Sequence, residues 1–333
     1  MKKHAIIPIF ISHRGCPNDC VFCNQKKITA RQGDVTEADV RNTIRTYLST
    51  LKDMNLETIE LSFFGGSFTG LPIEEQNRFL AIAFEYKQRG IIDKIHMSTR
   101  PDYIDRAILD NLSRYSVDVI ELGVQSFDDT VLAKSNRGHS AEAVYEACSL
   151  IKEYGFTLGI QLMIGLPGDS LESCIYSAGE TVKIAPEIAR LYPTVIIDDT
   201  QLLEMYKNGE YTPLTLDEAV AITKQMYRLL DDAGINIIRV GLKSTDIINE
   251  GGSITGDTYH PAFRQLVESS IARDEIEAQL AGKSGNITVI CSPKDISNAA
   301  GQTAATGNIL PVNIPDFIYH LKPTKLLIET NIL

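Results

Sequence analysis

The sequence predicts an α/β fold, namely a full or partial (β/α) barrel followed by an α+β extension. Short apolar segments rich in β-branched residues alternate with amphipathic segments of helical length, a pattern typical of parallel sheets covered by helices. Six or more such units in one series favour a TIM-like barrel. A doubly wound open sheet is the weaker alternative, because no GxGxxG sequence opens the first helix.

The individual elements follow from hydrophobic periodicity. The first helix is expected to begin at Thr36, because Asp39 three residues later completes a capping-box pattern. The predicted strands are "AIIPIFI", "TIELSFF", "KIHMST", "VDVIELGVQ", "FTLGIQLMIG", "EIARLYPTVII" and "INIIRVGL". The predicted helices span about 36–53, 73–89, 102–115, 128–154 (two helices), 169–185 and 215–233.

The pattern changes after about residue 243, where "KSTDIINEGGSITGDTYHP" has no clear period. A helix near 262–281 and the strands "NITVIC" and "TKLLIET" follow this stretch. We therefore predict a barrel over 1–242, with a cysteine-containing loop at 13–30. Residues 243–333 are predicted to form an extension that packs on the barrel.

The composition is that of a globular protein, with 44% apolar and 23% charged residues. No membrane span is predicted, and Pro8 interrupts the first apolar segment, so we interpret it as a strand rather than a signal peptide. The expected location is cytoplasmic, where cysteines are usually reduced. The formal net charge of −11 disfavours a protein that binds mainly by neutralising nucleic-acid phosphates.

Three of the six cysteines, Cys16, Cys20 and Cys23, lie within "RGCPNDCVFCNQ". Structural zinc takes four ligands, usually in two pairs, and no second pair is present. His13 could supply a fourth ligand, so zinc stays open on the spacing alone. The other common use of clustered thiolates is an iron–sulfur cluster. A four-iron cube held by three cysteines leaves one iron open to a small molecule.

The remaining cysteines do not extend this motif. Cys148, Cys174 and Cys291 fall in predicted helices and at a strand end, far apart in the sequence. We expect each of them to be a small buried hydrophobic residue.

The spacing Cys16-x3-Cys20-x2-Cys23, with Phe22 before the last cysteine and a strand before the loop, resembles the radical S-adenosylmethionine (SAM) superfamily. The resemblance implies a 4Fe-4S cluster whose open iron is chelated by the amino and carboxylate groups of SAM. It also implies reductive cleavage of SAM to a 5′-deoxyadenosyl radical, with an external electron donor such as flavodoxin or ferredoxin. The radical then removes a hydrogen atom from a substrate.

The same resemblance implies a SAM site at the carboxyl ends of the strands. "FFGGSFTG" resembles the glycine motif that holds the SAM ammonium, although a tight turn would look the same. Glu121 is also placed at the end of the fourth strand, and an ordinary surface position is the alternative for Arg137. The expected SAM contacts are Phe22, Gly65, Gly66, Ser67, Ser98, Arg100, Gln125, Arg137, Gln161 and Leu166.

Over most of residues 4–290 the chain resembles the radical SAM half of the Elongator catalytic subunit, notably in "RLYPTVIIDDTQLLEMYKNGEY", "IIRVGL" and "YHPAFRQLVES". The 333 residues leave no room for the acetyltransferase part, so a short form is expected. The chain departs from its relatives at Asp198-Asp199 and at Lys243-Ser244. The acidic pair would either attract a cation or sugar hydroxyls, or cap the helix of "DTQLLEMY".

Candidate substrate contacts lie on several segments that end near the predicted site. They are Tyr192, Asp198, Asp199, Arg239, Lys243, Asp246, Tyr259 and His260. None of them is assigned a catalytic role.

The acidic charge and the short chain favour a small substrate. Our expectation is a radical lyase acting on an amine-bearing modified base from tRNA turnover, with queuine as the leading candidate. A tRNA-modifying enzyme of the Elongator-like branch is the first alternative. A non-catalytic SAM- or haem-binding protein is the second, although the intact cysteine and glycine motifs weigh against it.

Overall fold

The computed structural model describes residues 3–11, 15–16, 20–24, 34–242 and 253–280, and the backbone of three short strands beyond them. His13, Lys243, Ser244, Asp246 and the side chain of Cys291 lie outside the described residues, as does most of the predicted loop at 13–30.

A seven-stranded sheet, parallel throughout, forms the centre of the molecule, in the order β1-β2-β3-β4-β5-β6-β8. Its strands are β1 (His4–Phe10), β2 (Thr58–Phe64), β3 (Lys94–Thr99), β4 (Val119–Gln125), β5 (Thr157–Ile164), β6 (Ile188–Pro193) and β8 (Asn236–Val240). The first and last strands do not pair with each other within the described residues, so the barrel is partial. This confirms the predicted fold class.

Most of the helices pack against the large sheet and bury its apolar face. They are α1 (Glu37–Leu51), α2 (Ile73–Gln88), α3 (Arg106–Arg114), α4 (Asp129–Lys134), α5 (Ala141–Glu153), α6 (Leu171–Ile184), α7 (Gln201–Lys207), α8 (Leu216–Asp232) and α9 (Phe263–Leu280). The capping box predicted at Thr36 and Asp39 is present. Among the described residues, no helix is long and apolar enough to cross a membrane.

Alternation along the strands separates the two faces of the sheet. Leu61, Ile95 and Ile120 belong to the apolar core under the helices. Because successive strand residues point to opposite faces, their neighbours line the inner face of the partial barrel. Those neighbours include Glu60 and His96, so the inner face is polar where the outer face is apolar.

The segment predicted as one strand, "EIARLYPTVII", forms two. The first, β6, ends at Pro193, and the second, β7 (Ile196–Ile197), pairs antiparallel with β9 (Ile254–Thr255). Proline has no backbone N–H to continue a ladder, so the chain can leave the large sheet at this point.

Helix α9 packs against the end of the sheet. Phe263 is buried in the main core and lies against Gly241, where an added Cβ would come within 2.8 Å of the Phe263 Cβ. Further along, β10 (Asn286–Cys291), β11 (Ile318–Tyr319) and β12 (Leu327–Asn331) form a three-stranded sheet. The predicted domain boundary at residue 242 stays a prediction.

Candidate active site

The three cysteines of the motif follow β1. Cys20 is buried, while Cys16 and Cys23 are half-buried. The amide of Cys23 donates to the carbonyl of Cys20 at 2.9 Å, which makes the second half of the motif a tight turn.

Residues 20–24 are held by two helices of the barrel. The amide of Val21 donates to the Ser135 carbonyl at the end of α4, at 3.2 Å. The Val21 carbonyl accepts from the amide of Leu202 in α7, at 2.7 Å. Asn24 Nδ2 donates to the backbone carbonyl of Asp198 at 3.1 Å. The turn that carries Cys20 and Cys23 is therefore positioned by two backbone contacts and one side-chain contact with residues far away in sequence.

The other half of the motif rests on the loop after β2. Gly15 has φ +71°, and a Cβ added there would lie 2.0 Å from the carbonyl oxygen of Ser67. A Cβ on Gly70 would lie 2.1 Å from the carbonyl oxygen of Gly15. Real Cβ atoms do not approach backbone this closely, so the backbone at Cys16 depends on both glycines.

Two arginines face the thiols. Arg137 Nη1 donates to Cys20 Sγ at 3.2 Å, and its Nη2 bonds the carbonyl of Gly123. Burial and the neighbouring Cys20 raise the pKa of the Cys16 thiol, while Arg100, Arg137 and the amide of Ser67 act to lower it. A bound metal would have to replace the thiol proton, because the thiolate is the ligand.

The thiols of the motif suit an iron–sulfur cluster chemically, because thiolates are its usual ligands. Among the described residues, no three His, Cys, Asp or Glu side chains gather as ligands of one metal ion. A cube takes one thiolate at each of three corners, so its ligands need not converge on one point. The hydrogen bond to Cys20 Sγ is also typical of the groups that tune cluster sulfurs.

The residues predicted to contact SAM surround this loop. Gly65 and Gly66 follow β2 and are half-exposed, as is Ser98 on β3. The hydroxyl of Ser67 is buried and lies 2.8 Å from the Thr99 hydroxyl, and it also accepts from the amide of Arg100 at 3.2 Å. Its side chain thus joins the ends of β2 and β3.

Arg100 uses two of its three guanidinium nitrogens in hydrogen bonds to one carboxylate. Its Nε and Nη2 pair with both oxygens of Asp102, at 2.9 and 2.8 Å. Its Nη1 is buried and has no hydrogen-bond partner within the part of the chain that the structure describes. An unpaired buried donor is costly, so this atom marks a place for an acceptor such as a carboxylate.

Gln125 ends β4 in a left-handed conformation, with φ +72°. The pairing of β4 with β5 shifts between Gly123 and Gln125, and Gln161 Nε2 donates to Gln125 Oε1 at 3.1 Å. Non-glycine residues in this conformation are uncommon and cluster at functional sites.

The loop after β5 is tied together by one carboxylate. Asp169 accepts from the amides of Gly165 and Ser170, at 2.9 and 3.1 Å, and from Cys174 Sγ at 3.1 Å. Leu166 is buried within this loop.

Phe22 is half-buried and packs against the apolar cluster of Val21, Ile196 and Leu202. Cys148 and Cys174 are buried, as predicted.

The predicted substrate contacts do not form one group. Tyr192 lies on the inner face, where its hydroxyl accepts from Arg190 Nη1 at 3.3 Å. Asp198 and Asp199 lie beside the turn that carries Cys20 and Cys23. Asp199 is exposed and has φ +56°. The cap of α7 is Thr200, so the alternative interpretation of the acidic pair as its N-cap is wrong.

The other candidates lie near the end of the sheet. Arg239 lines an open cleft of about 360 Å³ beside β8, together with Arg264. Tyr259 is buried with Val195 and Ile197 in a small apolar cluster. His260 Nδ1 accepts from the amide of Ala262 at 3.1 Å.

Several buried polar residues of the inner face are not among the predicted site residues. Glu60, His96 and Arg190 join Glu121 in one array on the inner face. Burial lowers the pKa of His139, beside Arg137, to about 4. The sequence feature that could have identified the inner-face residues is a charged side chain at the third position of a strand, next to apolar neighbours.

Comparisons with known proteins agree with this site. The profile of the Radical SAM superfamily matches residues 10–178, about half of the chain. This chain belongs to the radical SAM superfamily. The Radical_SAM C-terminal domain matches residues 186–273. The family uses a 4Fe-4S cluster and SAM, which are therefore the cofactors of this chain, and its members also need an electron donor.

The radical SAM chain is similar to proteins named for tRNA modification. It is 27% identical to a tRNA uridine(34) acetyltransferase of Methanocaldococcus infernus, over 66% of this chain and 48% of that protein. It is 28% identical to Elongator complex protein 3 of Bos taurus, over 65% of this chain and 48% of that protein. The chain thus spans about half the length of these relatives.

A solved structure shows the same fold. The archaeal Elp3 of Methanocaldococcus infernus with its N-terminus deleted superposes with a TM-score of 0.68. The likeness covers 83% of this chain and 64% of that one, at 22% identity.

Proposed function

We propose that this radical SAM enzyme acts on a nucleobase of tRNA, in the same branch as the Elongator catalytic subunit. The observation that carries the proposal is the similarity to tRNA uridine(34) acetyltransferases over two-thirds of this chain. The bound cofactors would supply a 5′-deoxyadenosyl radical that removes a hydrogen atom from the base. Uridine at position 34 is the candidate base.

The chain's own residues would hold these cofactors in the following way. Cys16, Cys20 and Cys23 are proposed cluster ligands, and Arg137 hydrogen-bonds the sulfur of Cys20. The open Nη1 of Arg100 would take the SAM carboxylate. Charge-assisted hydrogen bonds of this kind are about twice as strong as neutral ones.

The other predicted SAM contacts would bind the ammonium, the adenine and the ribose of SAM. The half-exposed glycines after β2 would leave room for the SAM ammonium, and the loop held by Asp169 would bound the adenine. Gln125 and Gln161, bonded to each other, would face the ribose.

A second candidate is the radical lyase acting on a free modified base, with queuine as the specific example. The net charge of −11 favours it, because neutralisation of RNA phosphates requires basic surface. Asp198 and Asp199, beside the cysteine turn, would suit the amine of such a base.

One experiment separates these candidates. The cluster is reconstituted without oxygen and reduced, and 5′-deoxyadenosine is measured with SAM alone, with tRNA and with free bases. Stimulation by tRNA that carries U34, but not by tRNA that carries C34, is the expected result. Stimulation only by a free base, with a cleaved product, would replace the tRNA proposal by the lyase.

Two variants control for the chemistry. Cys20→Ala should abolish SAM cleavage, whereas Cys148→Ala, which removes a buried thiol from α5, should retain it. No SAM cleavage by wild-type protein with an intact cluster would favour a SAM- or haem-binding protein.

A further inference from the structure

A row of charged side chains crosses the inner face of the partial barrel. Glu60, His96, Glu121 and Arg190 each occupy the third position of their strands, β2, β3, β4 and β6. Arg100 and Gln125 lie four residues further along β3 and β4. At about 3.3 Å per residue, the row lies roughly 13 Å below these proposed SAM contacts.

The members of this row are in contact. Glu60 Oε1 lies 2.7 Å from His96 Nδ1, and His96 Nε2 lies 3.6 Å from Glu121 Oε2. Arg190 Nε donates to Glu121 Oε2 at 2.7 Å. Glu60, His96 and Glu121 are almost completely buried.

Arg190 reaches Glu121 across an intervening strand. Position 159 of β5 pairs with Glu121 on one side and with Ile188 on the other. It is glycine, and a Cβ there would lie 3.1 Å from Glu121 Cγ and 2.9 Å from Ile188 Cγ1. The missing side chain thus makes room for the side chains of Ile188 and Glu121 on the inner face.

The row is neutral as a whole. Burial acts to lower the pKa of His96, but the neighbouring carboxylates of Glu121 and Glu60, the latter hydrogen-bonded to Nδ1, raise the pKa above its ordinary value. The pKa values of both carboxyls are lowered, that of Glu60 to about 2. With His96 in its protonated form, the two positive charges of the row balance its two negative ones.

Two hydrogen-bond donors of this region remain open. Arg190 Nη1 donates to the hydroxyl of Tyr192, so the phenol proton must point elsewhere. Among the described residues, nothing accepts that proton or bonds Nη2 of Arg190.

We propose that Arg190 and Tyr192 bind a carbonyl oxygen of the substrate base and so determine which base is accepted. The inference rests on the proposed function. A donor-only site matches O4 of uracil and rejects the amino group of cytosine. A neutral row suits a neutral carbonyl, because an anionic phosphate would bring an uncompensated charge into a buried place.

A free deazaguanine base offers the same kind of oxygen, at the position where adenine carries an amino group. The shared chemistry is therefore a ring carbonyl, and the experiment distinguishes the two sources.

Affinities are measured for the cluster-reconstituted, SAM-loaded enzyme. The probes are anticodon stem-loops with U34 or C34, and the nucleosides uridine, cytidine, guanosine and adenosine. We expect wild-type protein to prefer U34 over C34 by about ten-fold, in line with the loss of one good base contact. A preference confined to guanosine over adenosine would identify the free base as the source.

Tyr192→Phe and Arg190→Lys should reduce this preference to less than about two-fold. Tyr192→Phe removes only the hydroxyl, and Tyr154→Phe is its matched control, because that hydroxyl bonds Asp110 on an exposed helix surface. A ratio of affinities is used since a merely structural loss weakens both probes alike.

The two proposals fail in different ways. The absence of any carbonyl preference in wild-type protein, or a preference that both variants keep, would overturn the role of Arg190 and Tyr192. A carbonyl preference without stimulation of SAM cleavage by tRNA would instead overturn the proposed function alone.

Discussion

At the scale of single residues, the most consequential feature is a histidine between two carboxylates inside the barrel. His96 is 1% exposed, and both of its ring nitrogens face glutamates. Removing one partner of a buried ion pair leaves the others uncompensated, which costs more than the pair contributes when intact.

We predict that His96→Gln loses about 3–5 kcal/mol of the free energy of unfolding. Urea unfolding of the variant and the wild type measures this loss. His4→Gln is the matched control, because His4 pairs with the other oxygen of Glu60 at 3.4 Å but is about half exposed. An exposed pair is worth at most about 1 kcal/mol. Equal losses in the two variants would contradict the argument from burial.

The same histidine makes stability depend on pH. The pKa of His96 is raised by Glu121 and Glu60, so its contribution is complete below about pH 6.5, the ordinary value. It is lost as the pH rises through the folded-state pKa. The neighbouring groups, Glu60, Glu121, His4 and Arg190, do not reverse this sign, because the lowered pKa values of the carboxyls affect only acid pH.

We therefore expect the wild type to lose stability between neutral and alkaline pH, and His96→Gln to lose less. Unfolding at several pH values measures the difference. Parallel pH profiles would show that His96 is not protonated in the folded protein.

At the scale of elements, the cysteine loop is attached to the barrel by backbone contacts. The segment that precedes Cys16 touches the loop after β2, and the turn at Cys20 and Cys23 touches α4 and α7. Contacts of this kind do not depend on side-chain identity, except where a Cβ would obstruct them.

We predict that Gly70→Ala displaces Cys16 and lowers cluster incorporation, because the new Cβ would lie 2.1 Å from the carbonyl of Gly15. Iron content per chain after reconstitution measures this loss. Gly179→Ala, in α6 with open space around it, is the control and should be stabilised by about 0.5–1 kcal/mol. Full iron content in Gly70→Ala would show that the contact is dispensable.

We expect the loop after β5 to position SAM, as the cysteine loop positions the cluster. We predict that Asp169→Asn weakens SAM binding about ten-fold, because charged acceptors contribute about 1.5–3 kcal/mol each and the loop relies on this one. Binding of SAM to the reconstituted protein is the measurement.

The control for Asp169→Asn is Asp105→Asn. Asp105 caps α3 through the amide of Ile108, and asparagine caps a helix equally well. Unchanged SAM affinity in Asp169→Asn would mean that the loop keeps its shape without the carboxylate.

At the scale of the whole molecule, we expect bound cofactors to add to the stability of the partial barrel. The SAM contacts we propose come from the loop after β1 and from the ends of β2 to β5, so bound cofactors would join the loops of five neighbouring strands. Ligands that bind only the folded state raise its stability by mass action.

We predict that SAM at about a hundred times its dissociation constant stabilises the reconstituted protein by about 2.7 kcal/mol. After the cluster is removed by chelation, SAM should stabilise the protein far less, because its amino and carboxylate groups lose the open iron. Thermal unfolding with and without SAM measures both states. The same SAM effect before and after chelation would contradict binding through the cluster.

Much of this architecture was predictable because it is encoded locally. The periodicity of "TIELSFF" and "KIHMST" predicts strands that match β2 and β3. The resemblance carried by the cysteine spacing implies the cofactors, and the match to the radical SAM superfamily confirms them. The division of "EIARLYPTVII" into β6 and β7 was not predicted, because its reason is a pairing with β9 about sixty residues away.

What the sequence by itself determined is the set of strands and helices, the family and its cofactors, since each is written in neighbouring residues. Only the tertiary structure decided which polar residues face the inside of the barrel together. Glu60 and Arg190 are 130 positions apart, and no local period relates them. They join one row of side chains because the third residues of these parallel strands point to the same face of the sheet, each lying two residues beyond the register partner of the one before it.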